Sequence, residues 1–267
     1  MGSSHLPPTS GESETHYYLS LGDSLSTGVQ PIGPESFQFR TDFGYADQLC
    51  SIASSRLPGL CAVKLGYPGE STTTMLDGSL GSYPHGNQLA EAVAFLLAHR
   101  GEVAFVTIDI GSNDFPTRDI EGIAPGLESI ARNLPGILAA LVDAAGPGTP
   151  IVGMTMYDPF LASWFSGPDG MELARASVRE GIVPINAGMT AIYRAAGLDV
   201  ADVEAAFSTT DFETMVSLDG IGRVPINVAR IHEWTWAASP PPLGPDPHAN
   251  AKGYRAIAEA FARILLP

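Results

Sequence analysis

Apolar residues fall along this chain in two alternating rhythms. Short unbroken runs at 17–21, 60–65, 103–110 and 150–156 are rich in β-branched and aromatic side chains, the pattern of strands buried on both faces. Between them the apolar positions recur at helical spacing. Tyr45, Leu49, Ile52 and Ala53 do so before Pro58-Gly59, as do residues 88–99 and 182–196. Residues 123–144 also predict a helix, with a break at Pro135-Gly136. The clearest helix is 250–266, with Tyr254, Ile257, Ala258, Phe261 and Leu265 on one stripe. Strand alternating with helix is the signature of an α/β fold whose parallel sheet is covered on both faces. The remainder of 161–243 is less regular. Residues 203–207 predict a short strand, and 208–236 an irregular excursion in which Trp234 and Trp236 alternate at strand spacing.

The predicted strands empty into turns that carry chemistry. The first ends in Gly22-Asp23-Ser24-Leu25, the second in 66–74 with Gly69, the third in Gly111-Ser112-Asn113-Asp114. Open α/β sheets bind ligands at this carboxyl edge. A sharp strand-to-helix turn exposes Ser24 beside the amides of a helix start, which makes it a candidate nucleophile. The competing reading is a serine that only caps the helix. A nucleophile also needs a base, a group to orient it, and donors for an oxyanion. Of the six histidines, His248 is the best placed, between the stiff segment 240–247 and the last helix, with Asp246 two residues before it. Alone, that pair reads equally as a helix-start cluster. Gly69 can offer an unobstructed backbone N–H and Asn113 a side-chain N–H, from turns neighbouring that of Ser24.

These four blocks, in this order, resemble the SGNH (GDSL) hydrolase family across 17–266. The resemblance implies a three-layer α/β/α sandwich with a mostly parallel central sheet, flavodoxin-like in outline. It also implies Ser24 as nucleophile, His248 as general base, and an oxyanion hole of the Ser24 and Gly69 amides with the Asn113 side chain. The implied reaction is two-step acyl transfer from an ester to water, with no cofactor. One departure matters. The family's acid lies three residues before the histidine, where this chain has Pro245. Either Asp246 or the Pro245 carbonyl must then steady the imidazole, and Asp246 is expected because a carboxylate stabilises imidazolium better than a neutral carbonyl.

Composition narrows the partners. Lys+Arg of 14 against Asp+Glu of 29 gives a net charge of −15, which repels nucleic acid and anionic membrane surfaces. No apolar stretch has the length of a membrane span, and there is no zinc-type Cys/His spacing. A polar leader, 1–15, precedes a single catalytic domain, 16–267, expected to act as a monomer. Cys50 and Cys61 are spaced to close a small loop, so a disulfide and a secreted location are expected. Tyr67, Met75, Tyr157, Phe160 and Trp234 are the candidate pocket residues, from a wider set that includes Phe37, Phe39, Trp164 and Phe165. The substrate expected is a small ester of short to medium acyl chain. A carbohydrate O-deacetylase or acyltransferase is the alternative, and a catalytically silent binding module is the reading from another class.

Overall fold

The structure, a computed structural model, describes residues 16–31, 38–116 and 120–266. The leader 1–15 and Phe37 lie outside the described residues, as does the Phe39 side chain. The strands are β1 (His16–Gly22), β2 (Gln30–Pro31), β3 (Gln38–Phe39), β4 (Leu60–Lys64), β5 (Val103–Asp109), β6 (Ile151–Met154), β7 (Asp199–Ala201), β8 (Met215–Leu218) and β9 (Gly222–Pro225). The helices are α1 (Tyr45–Ala53), α2 (Thr72–Asp77), α3 (Gln88–Ala98), α4 (Ile120–Ala145), α5 (Pro168–Ala176), α6 (Val183–Ala195), α7 (Val203–Ala206), α8 (Ile226–Trp234) and α9 (Ala251–Leu265). A 3₁₀ segment, Pro159–Ser166, precedes α5, and a π-helical segment, Ser177–Ile182, joins α5 to α6.

The central sheet has the order β4-β1-β5-β6-β7, all parallel. Alternation of side chains along β1 assigns its residues to two cores. Tyr18 packs with Tyr45, Leu49, Tyr254 and Phe261 against α1 and α9. Leu19 and Leu21 pack with Leu96, Ile130 and Leu141 against α3 and α4. The result is the expected three-layer sandwich. The chain leaves β1 for β4 on one side and returns to β5 on the other, so the β1/β5 boundary is the topological switch point.

Several local expectations are corrected. Helix α4 runs through Pro135 without a break. Pro135 and Gly136 face solvent, while Ile130, Leu134, Ile137, Leu138 and Leu141 are fully buried on the other side. An interior proline costs about 3 kcal/mol, and burial of each such side chain returns about 1.5–3 kcal/mol. Residues 203–207 are helical rather than extended, because the Asp202 carboxylate accepts the Ala205 N–H at 2.9 Å and nucleates α7. The excursion 208–236 contains the antiparallel β8–β9 hairpin and α8. Trp234 therefore ends a helix, and its ring meets Phe207 edge-on at 5.3 Å rather than sharing a strand face with Trp236.

The expected disulfide is absent: both cysteines are free thiols. Cys50 packs with the α1 side of the sheet. Cys61 alternates with Leu60 and so faces the other side with Val63, which belongs to the opposite core. Among the described residues no helix is long and apolar enough to cross a membrane.

Candidate active site

Turns after β1, β4 and β5 meet at the switch point. No helix follows β1 directly. Residues 24–28 form a turn, closed by the Val29 N–H donating to the Ser24 carbonyl at 3.0 Å and the Gly28 N–H to the Leu25 carbonyl at 3.1 Å. The backbone amides foreseen at a helix start are therefore those of a bare turn. Asp23 holds this turn from behind. Its Oδ1 accepts the Leu25 N–H at 3.0 Å and, at 3.4 Å, the Ser24 hydroxyl. Its Oδ2 accepts the Ser112 hydroxyl in a short bond and the Asn113 side-chain N–H at 3.2 Å.

The β4 turn is built by Tyr67-Pro68-Gly69-Glu70. The Glu70 N–H donates to the Tyr67 carbonyl at 3.0 Å, and Gly69 has φ +85°, the left-handed conformation that the third position of a type II turn requires. Among the described residues, no hydrogen bond uses the backbone N–H of Ser24 or of Gly69, and both residues line the same cavity. Asn113 is aimed beside them by a 3.0 Å bond from its Nδ2 to the Glu70 carbonyl. Asp114 fastens the arrangement by accepting from Thr72 N at 2.8 Å and from the Ser129 hydroxyl at 2.9 Å, tying α2 and α4 to the β5 turn.

His248 arrives from the other end of the chain. Its Nδ1 meets Asp246 Oδ1 at 2.7 Å, and the same oxygen accepts its backbone N–H at 2.9 Å. One carboxylate thus fixes both ring and backbone, and Asp246, rather than the Pro245 carbonyl, faces the imidazole. The strap carrying them is anchored by Asp246 N donating to the Trp236 carbonyl at 3.1 Å, Trp236 N to the His248 carbonyl at 3.0 Å, and Tyr157 Oη to the Pro247 carbonyl at 2.7 Å. With Nδ1 engaged, Nε2 is the ring nitrogen left to exchange a proton.

Ser24, Gly69, Asn113, Asp246 and His248 all line one cavity of about 1130 Å³. Much of its lining is apolar, with Phe115, Ile123, Met156, Phe160, Ile182 and Ile185, interspersed with Asp158, Ser177 and Glu180. Of the five candidate pocket residues, Tyr157 and Phe160 line it. Met75 does not: it is fully buried beside α3 and α4. Tyr67 stacks under the Arg40 guanidinium at 4.7 Å, and Trp234 packs into the α8–α9 core. Asp158 also lines the cavity, and burial pushes its carboxyl up to about 6, although the Ser177 hydroxyl and the Phe160 N–H favour its charged form.

Sequence reasoning passed over three residues that build this site. Gln88 accepts the Gly22 N–H at 2.7 Å and donates to the Gly22 carbonyl and to Glu70 Oε2, both at 3.0 Å. Asp109 accepts the Ser26 N–H at 3.0 Å and the Tyr45 hydroxyl at 3.2 Å. The Asp109 signal was present in the sequence as the single charge in an otherwise apolar strand. Gln88 and Glu70 had none, since each reads as an ordinary polar residue near a helix start or a turn.

Sheet order, paired turns and cavity together define a hydrolase of the α/β/α sandwich type. The chain matches the model of the GDSL-like lipase/acylhydrolase family over residues 20–256, and it belongs to that family. Comparison with curated protein sequences gives no match. Among solved structures, it is similar to a catalytic mutant of an acetylxylan esterase from Geobacillus stearothermophilus, with TM-score 0.57, 14% identity and 96% of each chain covered. It is similar also to an extracellular lipase from Streptomyces rimosus, with TM-score 0.55, 19% identity, and 92% of this chain and 99% of that one covered. An alpha/beta hydrolase enzyme from the metagenome of Lake Arreo matches with TM-score 0.53 at 16% identity, over 95% of this chain and 96% of that one. At these identities the likeness speaks for the fold.

Proposed function

We propose that the protein is a serine-dependent carboxylic ester hydrolase that works through an acyl-enzyme on esters of short to medium acyl chain. The observation that carries this reading is the convergence of the Ser24 hydroxyl, an Asp246-oriented His248 and two unused backbone N–H groups on one cavity. In the first step His248 Nε2 takes the Ser24 proton as Oγ attacks the acyl carbon. The oxyanion is stabilised by the Ser24 and Gly69 amides and by Asn113, whose Nδ2 keeps its bond to the Glu70 carbonyl and shares with the oxyanion the N–H that Asp23 holds at 3.2 Å. The imidazolium, held by Asp246, returns the proton to the departing alcohol. Water, deprotonated in turn by His248, then releases the acid and restores Ser24. The Ser24 hydroxyl, which donates to Asp23 Oδ1 at a long 3.4 Å, turns to His248 Nε2 in the substrate complex, a tightening common to such pairs.

The cavity favours acyl esters over acetyl groups alone. Its volume lies just above the usual range for small-molecule sites, and much of its lining is hydrocarbon. A carbohydrate O-deacetylase would use the same residues with sugar in place of a simple alcohol, as the acetylxylan esterase of similar fold suggests. Hydrolysis of p-nitrophenyl esters from acetate upward, beside an acetylated xylooligosaccharide, separates the two. Ser24→Ala is expected to lower kcat at least about 10⁴-fold with the melting temperature preserved. Retained turnover in that variant removes Ser24 from the reaction.

A further inference from the structure

Directly behind the nucleophile turn, two carboxyl groups meet. Asp23 and Asp109 are 1% and 3% exposed; the Asp23 N–H donates to the Asp109 carbonyl at 3.2 Å, and this brings the two carboxyl groups within hydrogen-bond reach of each other. Two carboxylates cannot hydrogen-bond without a proton between them, and like charges at this range in a dry site cannot both ionise. The hydrogen-bond donors around the pair sort its members. Asp23 accepts from Leu25 N, the Ser24 and Ser112 hydroxyls and the Asn113 amide, a complete set for an anion. Among the described residues, the Asp109 carboxyl accepts only from Ser26 N and the Tyr45 hydroxyl. The proton therefore belongs to Asp109, which donates it to Asp23. Glycine at 22 makes the approach possible, since a Cβ there would fall 1.9 Å from Asp109 Oδ1.

We propose that Asp109 is a positioning residue for the ester hydrolysis: as a neutral acid it holds the Asp23 carboxylate, which in turn fixes Asn113, Ser112 and the Ser24 turn. The inference rests on the hydrolase reading above. Burial, and then the charge of Asp23, push the Asp109 carboxyl well up, and burial also raises Asp23. The groups facing the pair do not substitute for the proton. Tyr18 on β1, Tyr45 on α1, Tyr157 after β6, Tyr193 on α6 and Tyr254 on α9 are all held neutral by burial, and Asp246 adds negative charge. His248, when protonated, favours the charged form of Asp23.

Loss of the shared proton at alkaline pH leaves two anions in contact, which displaces Asp23 and with it the Asn113 donor. Folding at neutral pH takes up this proton, because unfolded Asp109 is ionised above about pH 4. Stability on this account declines as pH rises from there toward the raised folded value.

Three variants of the full chain test the proposal. Asp109→Ala is expected to lower kcat for p-nitrophenyl acetate about 10- to 100-fold, the loss typical of a misplaced group, with KM little changed. Asp109→Asn presents an amide N–H to Asp23 with no proton to lose. It should recover most of that kcat, lack the alkaline fall expected of the wild type, and flatten the decline of Tm with pH. Infrared difference spectra at pH 7 should show a protonated carboxyl C=O band in the wild type that Asp109→Asn lacks. Unchanged kcat in Asp109→Ala, an Asp109→Asn variant as impaired as the alanine one, or an alkaline limb common to wild type and Asp109→Asn overturns the proposal. If Asp109→Ala does not fold, the pH profiles of wild type and Asp109→Asn decide. Ser24→Ala keeps the infrared band whether or not the hydrolase reading holds. Loss of ester cleavage in all proteins, wild type included, refutes that reading, and absence of the band refutes the shared proton.

Discussion

On one side of Ser24, atoms are fixed by hydrogen bonds between elements far apart in the chain: Gln88 to Gly22, Asp23 to Asn113, Asp114 to Thr72. On the other side, the wall formed by 159–185 meets the cavity with Phe160, Ile182 and Ile185, held by packing around a 3₁₀ segment and a π-helical one. Directional bonds place a donor to within tenths of an ångström, whereas hydrocarbon packing defines a volume. The first region suits an oxyanion that must be met at fixed distance. The second suits a chain that slides along a surface and is selected by length. Side-chain amides close strand ends in both regions. Gln88 brackets the N–H and carbonyl of Gly22, and Asn186 those of Met156, at 2.8 and 2.9 Å.

If this division holds, disturbing the two regions should move different observables. Asn113→Ala removes a donor on the bonded side. Its kcat should fall about 10²–10³-fold at nearly constant KM, and an effect confined to KM would place Asn113 in binding instead. Next in size, Gln88→Ala strips the partner from the buried N–H of Gly22, whose carbonyl keeps the Tyr67 N–H at 3.0 Å. Urea unfolding should report a loss of about 1–3 kcal/mol, accompanied by lower kcat for every ester alike. A loss that varied with acyl chain would contradict the division. The smallest effect belongs to the wall. A Cβ at Gly181 would meet Ile123 at 3.9 Å, an ordinary contact, and Gly181 lines the cavity, so Gly181→Phe is the variant chosen to fill cavity space. It should leave acetate hydrolysis nearly unchanged and penalise longer acyl chains by about 1 kcal/mol per excluded methylene. A uniform loss across chain lengths would show that the wall also positions the chemistry.

The sandwich and the residues gathered at the cavity were legible because their signals are local. A strand that ends in a glycine turn, and a histidine between a proline-rich strap and an amphipathic helix, can each be read in a window of ten residues. What escaped depends on contacts between windows. Gln88 earns its place by reaching Gly22 across the fold. The cysteine spacing suited a disulfide, but the spacing carries no information about which sheet face each thiol takes. Met75 and Trp234 followed strands or turns in sequence, yet core packing claimed both. In 203–234, short helices are set by single caps such as Asp202 and by a hairpin pairing, neither of which produces a long hydrophobic period.

The spacing of Asp246 from His248 has a mechanical corollary. One oxygen of Asp246 grips both the ring and the backbone of His248, so acid and base travel as a single cassette on the strap anchored by Trp236 and Tyr157. Movement of that strap withdraws or delivers the two together. On the proposed mechanism the relay is then either whole or without its base, because the bond that aims the imidazole moves with the backbone that carries it.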